Sequence, residues 1–390
     1  MNQTFLLHYD EIALKGKNRP IFEKKLLSNI SLAADKSNVK LFKLKRLWGR
    51  IILQVDFSSN LKLKKILAQA FGLAWFAPAL PAIPSLTSFK KAISRLAKNN
   101  SFATFAIRAK VADKSLPFSS KGLEIKLGQW VVDSYQKKVD LNNPDLTFWI
   151  EIISKKCSFI FSQKHQALGG LPPGVNGQAL SLLSGGIDSP VASFKMMGRG
   201  LEVNFIHFHS YPQTKKASIE KAIKLAKILD QYQPNTKLFL LPFLPIQKEL
   251  LAHCDNRYLV ILYRRSMLRI AQIVARKQGA KALITGDALG QVASQTVENL
   301  ALQNKVVNLP ILRPLIGFQK KDIISLSRKI KTYSVSIEPH QDCCSLFVPK
   351  NPTTKADLEK IKQEEAKINL QKLIAQSLKQ MEVKNLNESR

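Results

Sequence analysis

Apolar and polar positions follow two different rhythms along this chain. Up to about residue 165, short apolar strands are interleaved with helical spacing. An apolar run from Phe5 to Leu7 comes first, and Ile21, Phe22, Leu26, Leu27 and Ile30 then recur at the helical period. Strands are predicted over Val39 to Leu44 and Arg50 to Val55. Helices are predicted around Leu61 to Phe71, Ser88 to Ala97 and Lys121 to Tyr135, with further strands at Ala103 to Val111, Phe148 to Ile153 and Cys157 to Gln163. This mixture reads as α+β, in two pieces covering 1–60 and 61–165.

A glycine- and proline-rich stretch, Gly169 to Gly177, then interrupts all periodicity, and a linker is set at 166–176. From 177 to 390 the pattern changes class. Buried-type strands at Ala179 to Leu183, Val203 to Phe208, Leu238 to Leu241 and Ala282 to Thr285 alternate with helical stretches, the βαβ signature of a parallel sheet. The segment 355–390 reads as a mixed-charge amphipathic helix with a polar, frayed end.

The sharpest local chemistry is Ser184-Gly185-Gly186-Ile187-Asp188-Ser189-Pro190, set between an apolar strand and a helix. Glycines let a backbone approach phosphates closely, the helix N-terminus adds amide donors and positive dipole, and Pro190 suits a first helical turn. The lysine of the GxxxxGK[ST] loop is missing, which argues against transfer of a terminal phosphoryl group. The string resembles the PP-loop of ATP pyrophosphatases, which cleave ATP between its α- and β-phosphates. Asp188 would repel phosphate unless a cation lies between them, which implies Mg2+ on that carboxylate; the plain alternative is a helix cap. Two further strings, Tyr263 to Ala271 with its arginines and Thr285 to Thr296 at a strand end, would lie at the ligand-binding edge of such a sheet. Taken alone they are solvated arginines and a capped helix.

Charge and cysteines narrow the class. Sixty Lys and Arg against 28 Asp and Glu give a net charge of +32, spread over both halves, which predicts attraction to a polyanion such as nucleic acid. A lysine-rich proteome is the alternative source of that excess. No run reaches the ~18 apolar residues of a membrane span, and the start has no signal-peptide pattern, so a cytoplasmic protein without membrane contact is expected. Four cysteines, two adjacent as Cys343 and Cys344, make neither a disulfide framework nor a zinc site. Cys343 and Cys344 lie in a polar loop between prolines, either as a thiolate nucleophile or sulfur carrier or as inert thiols; His340 beside them has no assigned role.

Taken together, the strings Glu11 to Arg19, Leu182 to Ala192, His207 to Ser210, Gly286 to Thr296, Arg313 to Ile316 and Asp342 to Cys344 resemble the tRNA 4-thiouridine synthetases, the ThiI family, over nearly the whole chain. The resemblance implies a ferredoxin-like domain at 1–60, a THUMP RNA-binding domain at 61–165 and a parallel-sheet PP-loop ATP pyrophosphatase domain, of the adenine nucleotide alpha hydrolase-like class, at 177–390. It implies tRNA, ATP and Mg2+ as partners of a sulfurtransferase that adenylates the O4 of the uridine at tRNA position 8. Persulfide sulfur then comes from Cys343, with AMP and pyrophosphate released. Cys344 is the alternative carrier. Carried onto this sequence, ATP would meet Leu182, Leu183, Ser184, Gly185, Gly186, Ser189, His207, Phe208, Arg264, Gly286 and Gln295, with Asp188 catalytic and metal-bound. Lys15, Lys17, Arg19, Arg108, Lys110 and Lys114 would face RNA phosphates. Long members carry a rhodanese domain with a second sulfur-handling cysteine. This chain resembles the short form, expected to take persulfide directly from a cysteine desulfurase, with a role in thiamine synthesis doubtful and a homodimer suggested. Cys344, Cys254, Cys157 or an external reductant would resolve the persulfide. The competing readings are a PP-loop ligase that uses a non-sulfur nucleophile and a non-catalytic tRNA-binding protein.

Overall fold

The structure is a computed structural model that describes residues 2–47, 49–113, 115–339, 346–347 and 352–386. Two compact units divide the chain, Met1–Gly170 and Leu171–Arg390.

In the first unit the elements run β1 (Asn2–His8), α1 (Arg19–Lys36), β2 (Leu41–Leu47), β3 (Arg50–Asp56), α2 (Asn60–Ala68), β4 (Trp75–Ala82), α3 (Leu86–Lys98) and β5 (Thr104–Val111). Then come α4 (Ser120–Tyr135), β6 (Lys138–Val139), β7 (Leu146–Ser154), β8 (Cys157–Phe161) and β9 (His165–Gln166). One sheet in the order β2-β3-β1-β4-β8-β7-β5-β6 runs through the unit, with β9 beside β4. Helices α3 and α4 close a core on it through Phe89, Ile93, Leu123, Leu127 and Val131 packed on Phe105, Phe148 and Ile150. Serine caps start both helices: Ser85 accepts the Ser88 amide at 3.1 Å and Ser119 the Gly122 amide at 3.0 Å.

Strand β4 is absent from the sequence reading because Pro78 and Pro81 hide it. It pairs with β1 over residues 75–79 and with β8 over 80–82. Each flank is therefore laddered over only part of its length, the arrangement in which a strand tolerates proline.

The second unit runs β10 (Gln178–Leu182), α5 (Asp188–Met197), β11 (Glu202–His209), α6 (Ala217–Leu229), β12 (Lys237–Pro242), α7 (Leu244–His253), α8 (Leu259–Lys277) and β13 (Ala282–Ile284). It continues with α9 (Val297–Asn304), β14 (Ile311–Leu312), α10 (Lys320–Lys329), α11 (Tyr333–Ser336), α12 (Leu358–Ala366), α13 (Leu370–Lys379) and β15 (Glu382–Asn385). The sheet order is β14-β13-β10-β11-β12-β15, parallel except for β15, which pairs antiparallel with β12. Both faces are covered, so strands read as continuous apolar runs yet still alternate. Leu180, Ile206, Phe208, Phe239 and Leu241 join the cluster built by α7 and α8. Ser181 points the other way and meets Ser193 of α5 at 2.8 Å.

Two expectations are corrected here. The segment 355–390 is not one helix: Asn369 caps a second helix by accepting the Lys372 amide at 3.1 Å, and the chain then adds β15 to the sheet edge. Arg264, Arg265 and Arg269 of α8 are ion-paired and not solvated, as that string taken alone would have them. Glu365 of α12 takes the guanidinium of Arg265 through Nε at 2.7 Å and Nη2 at 2.9 Å, and that of Arg269 at 2.6 and 2.7 Å. Burial raises the Glu365 pKa, but these two cations outweigh it and bring it to about 2.

Candidate active site

Strand order reverses around β10, with β11 and β12 on one side and β13 and β14 on the other. Open parallel sheets bind ligands in the crevice at such a switch point, outside the carboxyl ends of the strands. A cavity lies there, between the turns that leave β10 and β13. Its apolar wall is Leu182, Leu183, Ile206, Phe208, Met267 and Leu268. Ser184, Asp188, Ser189, His207, Arg264, Thr285, Gly286, Asp287 and Gln295 complete it. An apolar slot with a few convergent polar groups suits a flat heteroaromatic base joined to a charged tail.

The glycine turn is braced from inside. Ser189 Oγ accepts the Ser184 amide at 2.9 Å, Ser184 Oγ accepts the Gly186 amide at 3.2 Å, and the two hydroxyls are 3.1 Å apart. The Ser184–Ser189 bonds tie the turn to α5, and within that helix Ser193 Oγ donates to the Ser189 carbonyl at 2.8 Å. Helix α5 starts without a side-chain cap, so its positive N-terminus faces the cavity uncovered. From the next strand, His207 is 1% exposed and donates Nδ1–H to the Leu183 carbonyl at 2.9 Å, which holds the other end of the turn.

Gly286 is required by packing. A Cβ there would lie 2.7 Å from the Ser189 nitrogen and 2.9 Å from its Cα, so β13 approaches the start of α5 more closely than any side chain permits.

Asp188 is the first residue of α5 rather than its cap. Its Oδ1 accepts from Lys320 Nζ at 2.6 Å and its Oδ2 from Gln291 Nε2 at 2.9 Å. Asp287, 1% exposed, is the second carboxylate of the site and was not singled out from the sequence. It accepts from Thr285 Oγ1 at 2.6 Å, Arg313 Nε at 3.1 Å, Gln295 Nε2 at 3.3 Å and the Arg264 guanidinium. Burial pushes its pKa up, yet Arg264, the Thr285 hydroxyl and Arg313 overcome that, and it stays below the usual carboxylate range. The ionised Asp287 in turn orients Arg264 along the cavity wall, where Gln303 Oε1 also accepts from its Nε at 3.1 Å.

Comparison with known proteins agrees with this geometry. Residues 174–370 match the family model described as thiamine biosynthesis protein (ThiI), 4–77 the ThiI ferredoxin-like domain and 85–160 the THUMP domain. Probable tRNA sulfurtransferases of Acetivibrio thermocellus and Thermus thermophilus are each 40% identical to this chain. The first match covers 98% of both chains, the second 96% of this chain and 92% of the relative. The chain belongs to the ThiI family. The solved structure of a 4-thiouridine synthetase–RNA complex with bound ATP superposes with a TM-score of 0.88 at 33% identity, covering 99% of this chain and 100% of that one. The PH1313 protein of Pyrococcus horikoshii shares the fold, with a TM-score of 0.66 at 23% identity over 84% of this chain and 99% of that one.

In this ThiI-family chain the sheet edge gathers Leu182, Leu183, Ser184, Asp188, Ser189, His207, Phe208, Arg264, Gly286 and Gln295 around one cavity. Gly185 and Gly186 lie within the turn itself. Sequence reasoning placed Thr285, Asp287 and Gln291 in a string at the ligand edge and Arg313 in a family string without singling any of them out for the site, and it missed Lys320 altogether. A glycine followed within two residues by an aspartate in the turn after a buried parallel strand, at Gly186-Ile187-Asp188 and again at Gly286-Asp287, is the signal that could have found Asp287. Cys343, Cys344 and His340 lie outside the described residues, as does Lys114.

Of the candidate RNA contacts, Lys17 and Lys110 are exposed and Lys15, Arg19 and Arg108 half-buried. Lys15, Lys17 and Arg19 cluster where the 3-10 turn Glu11–Asn18 meets α1. Lys15 Nζ sits 5.2 Å from the Phe22 ring centroid, and Arg19 Nη2 donates to the Ala13 carbonyl at 2.8 Å. Arg108 and Lys110 are two apart on β5 and share a face. No helix among the described residues is long and apolar enough to cross a membrane.

Proposed function

We propose that this chain is an ATP-dependent tRNA sulfurtransferase that forms 4-thiouridine at tRNA position 8. The observation that carries the reading is the cavity at the switch point, whose glycine turn, uncapped helix and apolar wall suit the phosphates and base of ATP. Uracil O4 attacks the α-phosphorus, and the bond to the β-phosphate oxygen breaks with release of pyrophosphate. The start of α5 and Arg264 oppose the charge that builds on the phosphates. A terminal persulfide sulfur on Cys343 then attacks C4, the C4–O bond breaks and AMP leaves. A second thiol attacks the Cys343 sulfur, the electron pair of the S–S bond passes to the sulfur on C4, and the resulting disulfide is reduced by an external thiol.

The donor set suits Mg2+ in one mode. Asp188 offers a single carboxylate, and no cluster of three or more His, Cys, Asp or Glu occurs among the described residues, so phosphate oxygens would supply most ligands. Bound there, the ion would neutralise charge on the departing pyrophosphate.

The environments of two thiols argue against them as the resolving group. Cys254 is buried, donates to the Glu364 carbonyl at 3.3 Å, and burial pushes its pKa up to about 11. Cys157 is half-buried, and its pKa is also raised by burial. Cys344 and an external thiol remain. A cysteine desulfurase is the chemically suited persulfide source, and RNA phosphates are the natural partner of the +32 charge.

Nucleoside mass spectrometry of tRNA from cells lacking the protein tests the reading. Absence of 4-thiouridine, restored by the wild-type chain and not by Cys343→Ser, is expected; a normal level in its absence refutes it.

A further inference from the structure

A buried ammonium outside the cavity has no part in the chemistry above. Lys221 of α6 is 2% exposed, and its Nζ donates to the carbonyls of Ser336 at 2.7 Å and Glu338 at 2.8 Å. Lysine is almost never fully buried, because desolvating an ammonium is costly unless donors and acceptors are well placed. Here it satisfies carbonyls at the end of α11, where a helix leaves acceptors open. Two further bonds fix the same stretch. Ser336 Oγ donates to the carbonyl of Gly186, inside the glycine turn, at 3.3 Å. Lys224 Nζ holds the Glu338 carboxylate at 3.1 Å on the exposed side.

The chain therefore leaves Glu338 from a fixed point tied to the glycine turn. Cys343 follows five residues later in the sequence, and an extended chain advances at most about 3.5 Å per residue, so about 17 Å is the upper limit on its backbone reach from Glu338. Wherever Glu338 is pinned, that radius bounds the atoms the sulfur can reach.

We propose that Lys221 is a positioning residue for sulfur transfer, pinning the carbonyls of Ser336 and Glu338 so that the tether to Cys343 starts beside the glycine turn. The proposal rests on the sulfurtransferase reading. Among the described residues Lys221 does not line the cavity, so it acts through the segment it holds. Its loss leaves adenylation in place but delays sulfur, and the activated base is then lost to water, with AMP released and no thiouridine formed.

The test is the number of AMP molecules released per 4-thiouridine formed, in single turnovers of the full-length protein with tRNA, ATP and a loaded persulfide donor. The wild type gives a ratio near one. Lys221→Met is expected to raise it about tenfold or more, since a displacement of about an ångström costs up to a hundredfold in such a transfer. Lys221→Arg, which keeps a buried donor, is expected to bring it back to within about threefold of wild type. An unfolded fraction lowers both products together and leaves the ratio unchanged. A Lys221→Met ratio equal to wild type therefore overturns the proposal, whether total activity is lost or retained. A wild-type protein that makes no thiouridine overturns the parent reading instead.

Discussion

At the scale of single residues, the site depends on charges that have no water to fall back on. Asp287 is buried among Arg264, Arg313 and Thr285, so Asp287→Asn leaves two guanidinium groups facing an uncharged amide. Removing one partner of a buried pair costs about 3 kcal/mol or more. The expected outcome is a stability loss of that size in urea denaturation, with KM for ATP raised more than tenfold and tRNA affinity unchanged. Gly286→Ala is expected to slow tRNA-dependent pyrophosphate release at least tenfold, since its Cβ would meet the backbone of Ser189; an unchanged rate would show that the two turns can separate freely. Cys157→Ala and Cys254→Ala are expected to keep more than half of wild-type thiouridine formation, because neither the half-buried Cys157 nor the buried Cys254 reaches the thiolate form readily. Loss of activity in either would return that cysteine to the resolving role. The glycine turn and its neighbours could be read from sequence because their chemistry is local: Ser184, Gly186, Asp188 and Ser189 all come from one strand–turn–helix. The roles of Asp287 and Lys320 escaped because their charged partners, Arg264 and Arg313 for the one and Asp188 for the other, lie more than twenty residues away.

At the scale of elements, the long helices and the parallel strands were legible because their periodicity is set by burial on known faces. Strand β4 was not, since its two prolines argue against a strand unless its flanking pairings are known. The C-terminal helices show the same limit: Glu365 looks like a surface charge until α12 is laid against α8. That contact has a pH signature. The folded pKa of Glu365 is lowered from 4.5 to about 2, so the ion pairs contribute full stability above about pH 4.5 and lose it as pH falls toward 2. Urea midpoints measured across this window are expected to fall steeply for the wild type. Glu365→Gln should be less stable at pH 7 and show a shallower decline; parallel curves would remove Glu365 from the account.

At the scale of the whole molecule, a basic α+β unit precedes a unit whose largely parallel sheet carries the switch-point cavity, and the chain as a whole has a net charge of +32. Binding that neutralises several phosphates should weaken about a hundredfold or more between 50 and 200 mM salt, as read by filter binding of tRNA. A flat salt response would assign the charge to something other than RNA. The central claim is narrower: the glycine turn beside Asp188 brings the α-phosphorus of ATP to the O4 of a uridine. Its most direct measurement uses tRNA carrying oxygen-18 at O4 of the uridine at position 8, with ATP and a persulfide donor, and mass spectrometry of the AMP released. AMP that carries one oxygen-18 atom for each 4-thiouridine formed is the predicted result, and unlabelled AMP would contradict it.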